Sequence, residues 1–238
     1  MQDFSKDHDL VAKGEAMTFP SAFTVKSILT GILSFLCFES LWLYPVHMLV
    51  RQLTYWGLFS TTLLMIISLK CSFDEQIHKK RGWLRAHHVL FEVFVPLNLL
   101  ITTVYYSVLV GPVIASCNGD YIWMLHSYLI HIVPLASTIL LYSVTDIVMV
   151  AEHAKVLFPI GIVYGFYNYY VVASTGELIY WFLTWEDLTS PLIIIGLDLA
   201  CYAFFSAMSY TTRQVRLWRY KKWIAQQKQI DEQTKKLE

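Results

Sequence analysis

Six apolar runs, each long enough to cross a bilayer as a helix, alternate with short polar stretches along the chain. They cover about residues 22–44, 53–69, 88–114, 121–146, 156–173 and 192–210, and they predict an all-α fold, a polytopic six-transmembrane-helix bundle. A polar tail, residues 1–21, precedes them, and a basic tail, residues 213–238, follows. Pro96 lies inside the third run, where neighbouring helices can satisfy a freed carbonyl, so a kink is expected there rather than an end. Residues 71–87 read as a solvated loop carrying Asp74, Glu75, His78 and a run of basic residues, with His87 and His88 at its solvated edge. Residues 174–191 are too broken to span. They mix Tyr180, Trp181, Phe182 and Trp185 with Glu177, Glu186 and Asp187, a composition suited to the membrane interface and to a lid over it.

Composition supports this division. Of 238 residues, 56% are hydrophobic and only 15% charged, more apolar surface than a water-soluble domain of this size can hide. The formal net charge of zero gives no pull toward nucleic acid, and none is expected as a partner. Cys37, Cys71 and Cys201 lie within or beside apolar runs and Cys117 in a turn, so neither a disulfide framework nor a paired metal spacing is indicated. No cofactor or metal is expected, and the N-terminus lacks the pattern of a removable signal peptide.

Charge distribution sets the orientation. Every one of the 18 Lys and Arg residues except Arg51 falls on the side that holds the two tails, so both termini are predicted cytosolic. The chain closes on Lys235-Lys236-Leu237-Glu238. A dilysine at that position resembles the cytosolic signal by which coat machinery retrieves membrane proteins to the endoplasmic reticulum, which makes that membrane the expected location.

Ionisable groups inside the spans are the candidates for chemistry, because they are costly there. The fourth run, YIWMLHSYLIHIVPLASTILLYSVTD, carries His126 and His131. With the predicted topology, Thr54, Glu39, His126, His131 and Asp198 all fall in the luminal half. A threonine hydroxyl becomes a nucleophile when a neutral imidazole within hydrogen-bond reach takes its proton, and a carboxylate such as Asp198 can orient that imidazole. Asp146 cannot serve His131, because fifteen residues of helix put them roughly 22 Å apart. Counting turns from a common luminal surface favours His126 over His131 as the neighbour of Thr54. Glu92, Asp146 and Asp198 also fit simple pairing across the bundle. No phosphate-binding glycine loop, zinc-protease motif or serine-hydrolase elbow is present.

The Leu53-Thr54-Tyr55 opening of the second run, Trp123-x-x-His126 and His131-x-x-Pro134 in the fourth, and Thr175-Gly176-x-x-x-Tyr180 resemble the androgen-induced-gene family of membrane proteins, in an uncharacterised fungal branch. The resemblance extends over about residues 45–210. It implies an intramembrane threonine hydrolase acting on fatty acid esters of hydroxy fatty acids, with Thr54 as nucleophile and a histidine of the fourth span as base. Animal members place two histidines three residues apart in Asn-His-x-x-His. Here the spacing is five, and Leu125 holds the asparagine position. Alignment on Trp123 equates His126 with the first, non-catalytic histidine and puts Leu129 at the base, whereas alignment on His-x-x-Pro selects His131. His131 is the preferred base, with His126 retained beside it. The alternative reading is a non-enzymatic lipid-binding membrane scaffold or a small transporter. Histidines gathered toward one leaflet argue mildly against the transporter.

Overall fold

The computed structural model describes residues 20–73, 81–145 and 147–237, and every regular element among them is helical. Helix α1 spans Pro20–Leu43, α2 is the short Val46–Arg51, and α3 spans Leu53–Phe73. Helix α4, Arg81–Val104, passes through Pro96 without a break. It continues through a π-helical turn, Tyr105–Leu109, into α5, Val110–Ser116. Helix α6 spans Tyr121–Val144, a 3-10 turn at Ala151–Val156 leads into α7, Leu157–Thr175, and α8 runs from Thr189 to Leu237. Six of these rods are long and apolar enough to cross a membrane, so the chain is a multi-pass membrane protein of the expected class.

Several boundaries differ from the sequence reading. The third span begins at Gly82 and carries through to Ser116. Residues 71–73 and 81–87 of the stretch read as a loop are helical, and His87 and His88 are buried rather than solvated. His88 is covered by His153 of the 3-10 turn, whose ring packs edge-on against it. The sixth span does not stop at residue 210 but continues as one 49-residue helix through the basic tail. Residues 1–19 and 74–80, which include His78, lie outside the described residues, as do Asp146 and the side chains of Lys235 and Lys236.

Helices α3, α4 and α6 contact one another and form the centre of the bundle. Helix α1 closes one side against α3 and α6, and α8 closes the other against α4 and α7. Apolar side chains such as Phe35, Phe38, Trp42, Phe166 and Tyr170 point outward, where lipid is their solvent. Between the helices, polar side chains pair with each other because no water is there to do so. Asn98 of α4 donates to Thr61 Oγ1 of α3 at 2.7 Å, and Cys37 of α1 meets Thr62 at 3.1 Å.

Gly57 permits the close approach of α4, since a Cβ there would lie 2.7 Å from Asn98 Oδ1 and 2.9 Å from Ile101 Cδ1. Gly57→Val should therefore destabilise the bundle by about 1–3 kcal/mol, the range for overpacking a filled interior. Steric unfolding in mixed micelles would measure it, and an unchanged transition would show that α4 retreats without cost.

Candidate active site

The site forms where the start of α3 meets the middle of α6. Thr54, the second residue of α3, places its hydroxyl 3.1 Å from Nε2 of His131, and both residues are buried. The turn count fails here because the two helices do not start at one level. Thr54 in the first turn of α3 meets His131 almost three turns into α6, with the short α2 between α1 and α3. Thr54 is 5% exposed although it opens its helix.

His131 is held on all sides. Its Nδ1 lies 2.6 Å from the backbone carbonyl oxygen of Ser127, one turn earlier. A carbonyl only accepts, so Nδ1 carries the proton and a neutral ring has its lone pair on Nε2, facing Thr54. The Thr54 O–H then donates to that lone pair. Tyr105 stacks on the imidazole with centroids 3.5 Å apart and planes 12° from parallel, and its hydroxyl meets Ser127 Oγ at 2.7 Å. Tyr105 is the first residue of the π-helical turn, an irregularity frequently found at functional sites. Thr102 donates to the backbone carbonyl of His131 at 2.6 Å.

His126 sits elsewhere. Its Nδ1 is 3.0 Å from Glu39 Oε2 of α1, and Tyr44 packs against its ring. Asp198 does not orient His131, whose Nδ1 is already bound to Ser127. It occupies the space left by Gly161 on α7, where a Cβ would overlap its carboxylate.

Thr54, His131 and Asp198 line one narrow apolar cavity, together with Leu100, Ile101, Leu197 and Cys201 and with Tyr180, Phe182 and Leu183 of the interfacial segment. Its volume of about 70 Å³ admits a few water molecules but not a long acyl chain. The segment enters after Gly176, whose φ of 70° ends α7 in the left-handed conformation that glycine adopts without strain. Trp185 then anchors it by donating from Nε1 to Asn168 at 2.7 Å. Tyr180 accepts the N–H of Leu53 at 3.2 Å and lines the cavity beside Thr54 and Tyr164. Burial raises the Tyr180 phenol above its ordinary value of 10.0, so it remains a hydrogen-bond donor at physiological pH.

Sequence reasoning did not find the Ser127 carbonyl or Tyr105. A backbone acceptor leaves no trace in residue identity, and the aromatic is brought to His131 by a helical irregularity without a sequence motif. The chain matches no family model, no curated protein and no solved structure.

The bond to Ser127 generates a direct check. In protein selectively labelled with ¹⁵N-histidine, NMR should show His131 protonated at Nδ1 and unprotonated at Nε2, and Thr54→Ala should leave that tautomer in place. The opposite tautomer would mean that His131 donates to Thr54 and cannot take its proton.

Proposed function

We propose that the protein is a threonine-dependent lipid ester hydrolase, with Thr54 as nucleophile and His131 as general base. The observation that carries this reading is the 3.1 Å hydrogen bond between them, with the far side of the ring committed to a carbonyl. The motifs around Thr54, His131 and Tyr180 that resemble the androgen-induced-gene family point to the same chemistry, and to fatty acid esters of hydroxy fatty acids or related esters as substrates. The charge asymmetry and the terminal dilysine favour the endoplasmic reticulum membrane with both termini cytosolic. Lys235 and Lys236 would then be offered to coat machinery.

In the reaction, Thr54 Oγ1 attacks the ester carbonyl carbon while its proton passes to His131 Nε2. Negative charge develops on the carbonyl oxygen, and the Tyr180 hydroxyl beside Thr54 is the donor placed to receive it. Collapse breaks the ester C–O bond, and the departing alkoxide oxygen takes the proton from His131, leaving an acyl-threonine and a free hydroxy lipid. Water then attacks the acyl carbon as His131 removes its proton. Return of that proton to Thr54 releases the carboxylic acid and restores the pair.

The cavity is too small for the substrate while Phe182 and Leu183 fill its wall. The interfacial segment therefore swings outward to admit an ester from the membrane, with the acyl chains remaining among the helices. This motion is part of the proposal, and lids of this kind commonly gate turnover.

The test is hydrolysis of a branched fatty acid ester by membranes holding matched amounts of each variant. Thr54→Ala and His131→Ala should each lose at least about 100-fold in rate, and Tyr180→Phe about 100-fold. His126→Ala should stay within a few-fold of wild type, since its ring faces Glu39. A fluorophosphonate should label wild type and not Thr54→Ala. Full activity in Thr54→Ala, or a wild type no better than empty membranes toward esters and without labelling, would overturn the assignment.

A further inference from the structure

The opposite end of the bundle holds a second polar cluster that the proposed hydrolysis does not use. Glu92 of α4, 2% exposed, receives two imidazoles on its two oxygens. His88 Nε2 lies 3.0 Å from Oε1 and His153 Nδ1 lies 2.6 Å from Oε2. The backbone N–H of Val150 also donates to Oε1 at 2.6 Å, fixing the carboxylate from behind. One nitrogen from each histidine and a carboxylate oxygen come within 4.8 Å of one another. The two rings stand nearly perpendicular, at 82°.

This convergence is built by the fold. His88 and Glu92 are one turn apart on α4 and therefore share a face. His153 arrives from the 3-10 turn at Ala151–Val156, which follows Val150 in extended conformation. The His88, Glu92 and His153 side chains form part of the wall of a cavity of about 410 Å³, together with Arg85, Val93 and Phe205. Leu157 lines this cavity and the one at Thr54, so the two spaces lie on either side of it.

We propose that His88, Glu92 and His153 bind a divalent transition-metal cation of the zinc class. Two imidazole nitrogens and one carboxylate oxygen are borderline donors suited to zinc, and three protein ligands with one open position are the arrangement of zinc sites that keep an exchangeable ligand. An ion about 2.1 Å from each donor needs them about 3.4 Å apart in tetrahedral geometry. In the structure His88 and His153 lie 3.0 and 2.6 Å from different oxygens of Glu92, and one ligand atom from each of the three residues already lies within 4.8 Å of the others, so small rotations of the imidazoles and the carboxylate bring the set to that spacing. The ion replaces the protons now directed at the carboxylate, and the Val150 N–H remains as an outer-shell bond that orients Glu92. The fourth position faces the cavity, where water or an anionic group drawn by Arg85 completes the coordination. This site is independent of the ester chemistry at Thr54.

The experiment uses the full chain in detergent micelles, stripped with chelator, desalted, and titrated with zinc and separately with cobalt(II). Expected are one zinc per chain by elemental analysis and a cobalt visible spectrum of the intense four- or five-coordinate type. His153→Ala and His88→Ala should each weaken zinc binding by at least about 100-fold, more than the loss of an outer-shell partner costs, while unfolding as wild type does in the presence of chelator. Absence of stoichiometric zinc in wild type, or binding that survives unchanged in both variants, overturns the proposal. Should either variant fail to fold, the wild-type cobalt spectrum decides: only the six-coordinate aqueous spectrum at saturating cobalt means that the three residues are a hydrogen-bonded clasp and nothing more.

Discussion

Lipid offers a polar atom no partner, so most of those packed inside this bundle pair with a neighbouring helix or with their own backbone. That constraint organises the centre of the molecule. Asn98 reaches Thr61 across the α3–α4 contact, Thr102 reaches the His131 carbonyl between α4 and α6, and Lys26 of α1 reaches Ser72 near the end of α3. Each link is modest by itself, since the alternative partners in a membrane are other protein groups rather than nothing. Their value is positional. Apolar packing alone leaves helices free to slide or rotate, whereas a buried hydrogen bond fixes depth and rotation together. The Thr54–His131 contact depends on this, because a helical turn of slip between α3 and α6 would move the hydroxyl about 5.4 Å away from the ring.

The non-helical segments answer to the same constraint. Irregular backbone at membrane depth is tolerated where protein buries it or where it lines a cavity. The segment after Gly176 brings Tyr180 over Thr54, satisfies the free N–H at the start of α3, and is itself pinned through Trp185 to Asn168. The stretch before α7 brings Val150 and His153 to Glu92. At each end of the bundle one polar side chain, Tyr180 at Leu53 and His153 at Glu92, comes from a segment that the helical periodicity does not describe.

This explains how far the sequence could be read. Six spans and their order are legible because lipid imposes a length and a composition on each, and short of mutual contact nothing else is needed to recognise them. Thr54 and the two histidines stand out for the related reason that polar and ionisable groups are rare in such runs. Which of them touch was not legible. Turn counting assumed that every helix starts at one flat surface, and the contact between the first turn of α3 and the third turn of α6 breaks that assumption. His88 looked solvated because it adjoins a charged stretch, yet His153 of the 3-10 turn packs against it and it is buried. His153, in the short gap between the fourth and fifth apolar runs, gains its meaning from Glu92, which lies 61 residues away in sequence.

The five-residue spacing of His126 and His131 can be read through helical geometry. At about 100° per residue, two positions five apart on a helix point about 140° away from each other, whereas positions three apart stay about 60° apart and share a face. The wide angle accounts for the divided partners here. His131 turns toward α3 and meets Thr54, while His126 turns toward α1 and meets Glu39. Two histidines on one face could serve a single hydroxyl, one as base and one beside it. In this chain they cannot both do so, and the second is freed to tie α1 to the bundle. Alignment by motif alone leaves the two histidines interchangeable. The helix makes them distinct, because the face each one presents is fixed by its position along α6 rather than by the residues that surround it in sequence.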